Sequence, residues 1–172
     1  MTIFTVGHST RPIADFIGLL TPHGVERLVD VRTIPKSRFN PQFGRDQLAA
    51  SLQAAGIHYT HLPGLGGLRR PRPDSTNTGW RNESFRGYAD YMQTPEFEAS
   101  LAQAIELARA ERIVLMCAES VPWRCHRSLI ADALIARAIE VREIAGVTST
   151  RPHRLTSFAR VDGTKVSYPG LF

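Results

Sequence analysis

Leu28-Val29-Asp30-Val31 is a short, nearly continuous apolar run. It reads as a strand covered on both faces, the pattern of a parallel strand in the middle of a sheet rather than of a half-solvated antiparallel one. Upstream, Thr2–Val6 alternates β-branched and aromatic residues and predicts a first strand, closed by Gly7-His8-Ser9. Between the two, Ile13, Phe16, Ile17 and Leu20 recur at helical spacing. Ser9 or Thr10 is placed to cap that helix, Pro12 fits its first turn, and Pro22-His23-Gly24 ends it. Downstream, Leu48, Leu52 and Ala55 mark a second helix stopped by Gly56, and Ile57–Leu62 alternates as a third strand. Strand–helix–strand–helix–strand predicts right-handed crossovers and a mostly parallel, Rossmann-like sheet within one three-layer α/β domain.

The rest of the chain extends this plan. Pro63–Glu83 has no usable period and holds Gly64, Gly66, Gly67, Arg69, Arg70, Arg72 and Arg81, the composition of a lid, a binding loop or a disordered segment. Phe85–Met92 and Pro95–Ala110 predict helices, Ile113–Met116 a fourth strand, Leu129–Ile139 a further helix and Glu140–Ile144 a fifth strand. The core domain is read as residues 1–146. Residues 147–172 form an extension packed on it, a polar connection followed by a small β-hairpin around the Asp162-Gly163 turn.

At 172 residues the chain is one domain's worth, large enough to bury a core without disulfides. No run approaches the ~20 apolar residues of a membrane span, and Met1-Thr-Ile-Phe-Thr-Val has no signal-type pattern, so the cytoplasm is the default expectation. Two cysteines are not a secreted disulfide framework. A net charge of +5, carried mostly by arginine, favours an anionic partner, a small substrate or nucleic acid.

In open α/β sheets ligands bind beyond the carboxyl ends of the parallel strands. The reactive residues of this chain gather there: His8 and Ser9 after the first strand, Asp30 and Arg32 after the second, Gly66 and Gly67 after the third, Cys117 and Glu119 after the fourth. The fourth strand runs into Cys117-Ala118-Glu119 and on to Arg124-Cys125-His126-Arg127. A thiol ionises near neutral pH only beside positive charge or helix amides. Arg124, His126, Arg127 and the helix start can supply both to Cys117 or to Cys125. The plainer alternative for each cysteine is packing as a small hydrophobe. Glu119 and His8 are candidates for moving protons, and Arg32, Lys36, Ser37 and Arg38 for holding an anion.

The leading expectation is a cysteine-dependent enzyme for a phosphate- or nucleotide-bearing substrate, needing no cofactor. Two alternatives come from other classes. A nucleic-acid-binding module would use the Leu68–Arg72 loop with Trp80 and Trp123. A metal-dependent hydrolase would use Cys117, Glu119, Cys125 and His126, though their spacing is irregular for a metal site. The arrangement resembles cysteine-phosphatase and rhodanese loops, in which a strand-end cysteine precedes an oxyanion-cradling helix. It departs from them in spacing, because Arg124 stands seven positions after Cys117.

Val6-Gly7-His8-Ser9, Asp30-Val31-Arg32 with Pro35 and Ser37, Leu65-Gly66-Gly67, Tyr88-x-x-Tyr91-Met92 and Cys117-x-Glu119 followed by Cys125-His126-Arg127 together resemble the prokaryotic DUF488 family from about Thr2 to about Ile144. The resemblance implies a single α/β domain with these motifs, Tyr91 included, as its site, and it supplies no reaction. The chain departs from the family at Glu143, where members often carry a histidine.

Overall fold

The computed structural model describes residues 1–119 and 125–170. Among these, six strands form one sheet in the order β3-β2-β4-β1-β5-β6, and two more form a separate hairpin. Strands β1 (Thr2–Gly7), β2 (Arg27–Asp30), β3 (His58–His61), β4 (Ile113–Cys117) and β5 (Glu140–Ile144) are parallel to their neighbours. The short β6 (Thr150–Pro152) runs antiparallel to β5 at one edge. Pro152 is tolerated there because an edge strand can lose one donor. The polar connection expected over this stretch thus contains an edge strand.

Period-two alternation divides β4 between two cores. Ile113, Leu115 and Cys117 pack on one face and Val114 and Met116 on the other. The second face is covered by α1 (Ile13–Leu20) and α2 (Arg45–Ala54) through Phe16, Leu20, Leu48 and Leu52. The first is covered by α3 (Glu83–Tyr91), α4 (Pro95–Ala110) and α5 (Arg127–Ile135) through Tyr88, Phe97, Leu101, Leu129 and Leu134. The chain leaving β1 therefore turns to one face and the chain leaving β4 turns to the other. These strands are neighbours, with Gly7 in register with Cys117. The divergence opens a crevice at their carboxyl ends, the switch point where such sheets bind ligands.

Local chemistry sets the helix starts. Asn82 caps α3 by accepting from the amides of Ser84 and Phe85, and Thr94 caps α4, with Pro95 in the first turn. Neither Ser9 nor Thr10 caps α1: Pro12 occupies the cap position without a side-chain bond, and Ser9 adopts a left-handed φ of 52°. Helix α5 spans Arg127–Ile135, four residues short of the expected end, and the chain turns at Ala138 with φ 60°.

The stretch 63–83 is tied down by polar contacts that carry no periodicity. Pro63–Leu65 forms a 3-10 turn, and the Asp90 carboxylate accepts from the Arg72 amide, Ser75 Oγ and Asn77 Nδ2. Asn77 is fully buried and accepts in turn from the Tyr168 amide. The end of the chain, with its hairpin of β7 (Arg160–Asp162) and β8 (Lys165–Ser167), is anchored through this residue and through Asp132 of α5. Asp132 accepts from Tyr168 Oη at 2.7 Å, His153 Nε2 at 2.8 Å and the Thr156 amide at 3.1 Å. Replacing Asp132 by Ala strands three polar partners under the extension and should lower stability by about 3 kcal/mol, read as a fall in the urea midpoint.

Candidate functional site

Cys117, 2% exposed, ends β4 and packs in the core facing the α3–α5 layer. The sheet needs Gly7 beside it: a Cβ there would lie 1.8 Å from the Glu119 carbonyl oxygen and 2.7 Å from Arg127 Nη1. That close approach lets the chain after β4 fold back over β1, with the His8 amide bonded to the Cys117 carbonyl and the Ser9 amide to that of Ala118.

The start of α5 then delivers Cys125, His126 and Arg127 to the same point. Cys125 Sγ lies 2.8 Å from Cys117 Sγ, and Arg127 Nη1 lies 2.7 Å from Cys117 Sγ. Arg127 is fully buried, donates also to the Glu119 carbonyl, and pairs through Nη2 with Glu143 at 2.8 Å. Thr5 donates to the other oxygen of Glu143. Thr5 and Glu143 are register partners on β1 and β5, so one polar ladder crosses the sheet beneath α5.

Burial would raise the Cys117 pKa, but the hydrogen bond from Cys125, the charge of Arg127 and the bond from its guanidinium outweigh it, so the net shift is down. Cys125 moves the opposite way, raised well above an ordinary thiol because it is the donor to Cys117 and is itself buried. The two shifts make Cys117 the member of the pair that ionises first and Cys125 the one that keeps its proton. Burial also raises the pKa of Glu143, against the pull of Arg127.

His126 donates through Nε2 to the Val31 carbonyl at 3.1 Å, which leaves Nδ1 as an acceptor 3.6 Å from Cys125 Sγ. Burial pushes its pKa down to about 4, so the ring is neutral at physiological pH. Tyr88 packs against it at 4.9 Å between centroids, and Gly67 lies across the ring, where a Cβ would come within 3.2 Å of Nδ1.

A cleft of about 350 Å3 opens over the two thiols and His126, with Arg32, Lys36 and Gly67 on its rim. Arg32 is held bidentately by Asp30 at 2.9 and 2.7 Å, and Asp30 also accepts from Tyr59 Oη at 2.6 Å. Arg32 is 6% exposed, and its Nη1 has no partner among the described residues.

The sequence candidates separate as follows. Cys117, Cys125, His126 and Arg127 come together, with Arg32 and Gly67 at the rim and Asp30 positioning Arg32. Glu119 also lines the cleft, and its main-chain carbonyl accepts from Arg127. His8 is not brought to the thiols: it stacks on Phe43 at 4.1 Å, in the core on the opposite face of the sheet, and donates through Nδ1 to the Ser9 carbonyl. Burial also lowers its pKa to about 4. Ser9 and Ser37 do not line the cleft. Gly66 packs against Thr33, and Tyr91 donates to the Gly64 carbonyl beneath the Arg69 guanidinium, so both shape the loop rather than the cleft. Trp80 contacts Phe85, Phe158 and Tyr168 within an aromatic cluster and does not line the cleft. Trp123 and Arg124 lie outside the described residues. No group of three or more His, Cys, Asp or Glu among the described residues is placed to hold a metal ion. Thr5 and Glu143 were not among the candidates. The signal was their shared position on the inward face of β1 and β5.

The model of the family described as "Domain of unknown function DUF488" matches residues 12–134. The chain belongs to the DUF488 family. No curated protein and no solved structure matches it. The DUF488 match takes in both thiols, His126, Arg127 and the Asp30–Arg32 pair. It leaves out β1, Glu143 and the extension.

Replacing Cys125 by Ala removes the donor to the Cys117 sulfur, so the pH midpoint for alkylation of Cys117 should move up. His126 carries a separate sign. Its folded pKa of about 4 lies below the unfolded value near 6.5, so between those limits only the unfolded chain takes up the proton. Stability should therefore fall as pH drops through that window, by up to about 3 kcal/mol from this group, measured as urea midpoints from pH 7 to 4.5.

Proposed function

We propose that this DUF488 protein is a cysteine-dependent enzyme, a transferase or hydrolase, that uses the Cys117 thiolate against an anionic substrate seated in the cleft. The observation that carries the reading is the placement of Arg127 Nη1 and Cys125 Sγ within hydrogen-bond reach of Cys117 Sγ, at 2.7 and 2.8 Å. Two donors on one buried sulfur favour its anion at neutral pH, and the thiolate is the nucleophilic form. Anion selectivity is drawn from the rim, where Arg32 retains an unsatisfied guanidinium nitrogen and Lys36 adds a second positive charge. Cys117 attacks the electrophilic centre, the bond from that centre to the leaving group breaks and the leaving group departs with its electron pair. Water or an acceptor nucleophile then displaces the sulfur, which returns as a thiolate to the hydrogen bond from Cys125.

The test compares iodoacetate with iodoacetamide at pH 7. Cys117 should be alkylated and Cys125 spared, with the anionic reagent favoured; Cys117→Ser should abolish labelling. Lys36→Glu, at an exposed position, should slow iodoacetate on the order of tenfold while leaving iodoacetamide nearly unchanged. Labelling confined to Cys125, or no labelling of the folded protein, would overturn the reading.

A further inference from the structure

A second cavity, of about 540 Å3, lies against Arg127 and does not include the thiols. Cys117 does not line it, and Arg127 does not line the cleft over Cys117. The buried guanidinium is thus the partition between two compartments. The second one is walled by the end of β1, the first turn of α5, the end of β5 and the segment 151–156 of the extension. Its volume lies within the ~300–1,000 Å3 range of small-molecule sites.

The charge lining this cavity is unbalanced. Among the described residues, Arg11, Arg127, Arg151 and Arg154 share it with a single carboxylate, Glu143. Glu143 is already paired with Arg127. Arg11 donates to the carbonyls of Gly7 and His8 but, like Arg151 and Arg154, makes no ion pair among the described residues. His153 adds no acceptor for them, since it is bonded to the buried Asp132. Three guanidiniums therefore line one cavity with no close ion pair of their own among the described residues, beside the amino end of α5, a further source of positive potential.

The remaining wall is of another kind. Trp80, Ala131, Ile144 and Pro152 give it an apolar flank, and the Trp80 Nε1 donor is buried with no partner among the described residues. A cavity that pairs clustered guanidiniums with an aromatic, donor-bearing flank suits a ligand with a multiply charged end and a ring-bearing body.

We infer that this cavity is a binding site for a phosphorylated small molecule carrying an aromatic or heterocyclic body, with Arg11, Arg151 and Arg154 on the phosphate and the Trp80 flank on the body. The site is separate from the thiol cleft and does not depend on its chemistry. One wall of it, residues 151–156, lies beyond the stretch matched by the DUF488 model.

The experiment is isothermal titration calorimetry of the full chain with AMP, adenosine and inorganic pyrophosphate. AMP should bind; adenosine, which lacks the charged end, and pyrophosphate, which lacks the body, should each bind at least about tenfold more weakly. Arg151→Ala with Arg154→Ala, both exposed positions, should weaken AMP about tenfold or more with the fold unchanged by circular dichroism. Lys36→Glu, in the other compartment, should leave AMP binding as it was. Absence of AMP binding, equal binding of adenosine, or AMP binding that survives the arginine substitutions and is lost in Lys36→Glu would overturn the inference. None of these outcomes bears on alkylation of Cys117, so the two readings fail separately.

Discussion

The fold spends a fully buried guanidinium at the junction of β1, β4, β5 and α5, and much of the site depends on how that charge is met. Isolated in the interior, Arg127 would be strongly unfavourable. It is met on one side by Glu143 and on the other by the Cys117 sulfur and the Glu119 carbonyl. Burial opposes its charged form, and the sulfur and Glu143 more than restore it. The same interaction works in both directions: Arg127 favours the anionic form of Cys117, and Cys117 and Glu143 favour the charged form of Arg127. A change to either partner is felt by the other.

A second set of buried polar residues secures the extension. Asp132 and Asp90 each collect three donors from other segments, and Asn77 links two segments by donating to Asp90 and accepting from the Tyr168 amide. A buried polar residue that is fully satisfied specifies one arrangement of its neighbours more sharply than apolar contact does. Segment 63–83 and the C-terminal hairpin are positioned by such residues where periodicity and core area contribute little.

The sheet was legible because its signals are local. Leu28–Val31, Ile113–Met116 and the helical spacing of Ile13, Phe16, Ile17 and Leu20 depend only on neighbouring residues, and the switch-point rule then places Cys117 without further information. The candidates that separated did so for reasons of facing. His8 immediately follows a strand whose partner carries Cys117, and sequence order alone does not say on which side of the sheet its ring will pack. It turns toward Phe43, whereas Cys117 turns toward α5. Thr5 and Glu143 lie 138 positions apart and become partners only through the register of β1 with β5. Edge strand β6, with three residues and a proline, has too little pattern to stand out from a loop. The polar anchoring of segment 63–83 comes from single side chains and leaves no period to read.

The placement of Gly7 bears on what the crevice floor can become. Because no side chain fits at that position, the floor between β1 and β4 is built of main-chain carbonyls and amides, whose chemistry is the same whatever residues supply them. Selectivity has to come from the walls, and these belong to different parts of the chain: residues 32–36 and 67–68 over the sulfurs, residues 151–156 on the far side of Arg127. The molecule is in this sense two rooms sharing one partition, and either can be refurnished without moving the atoms that hold the other.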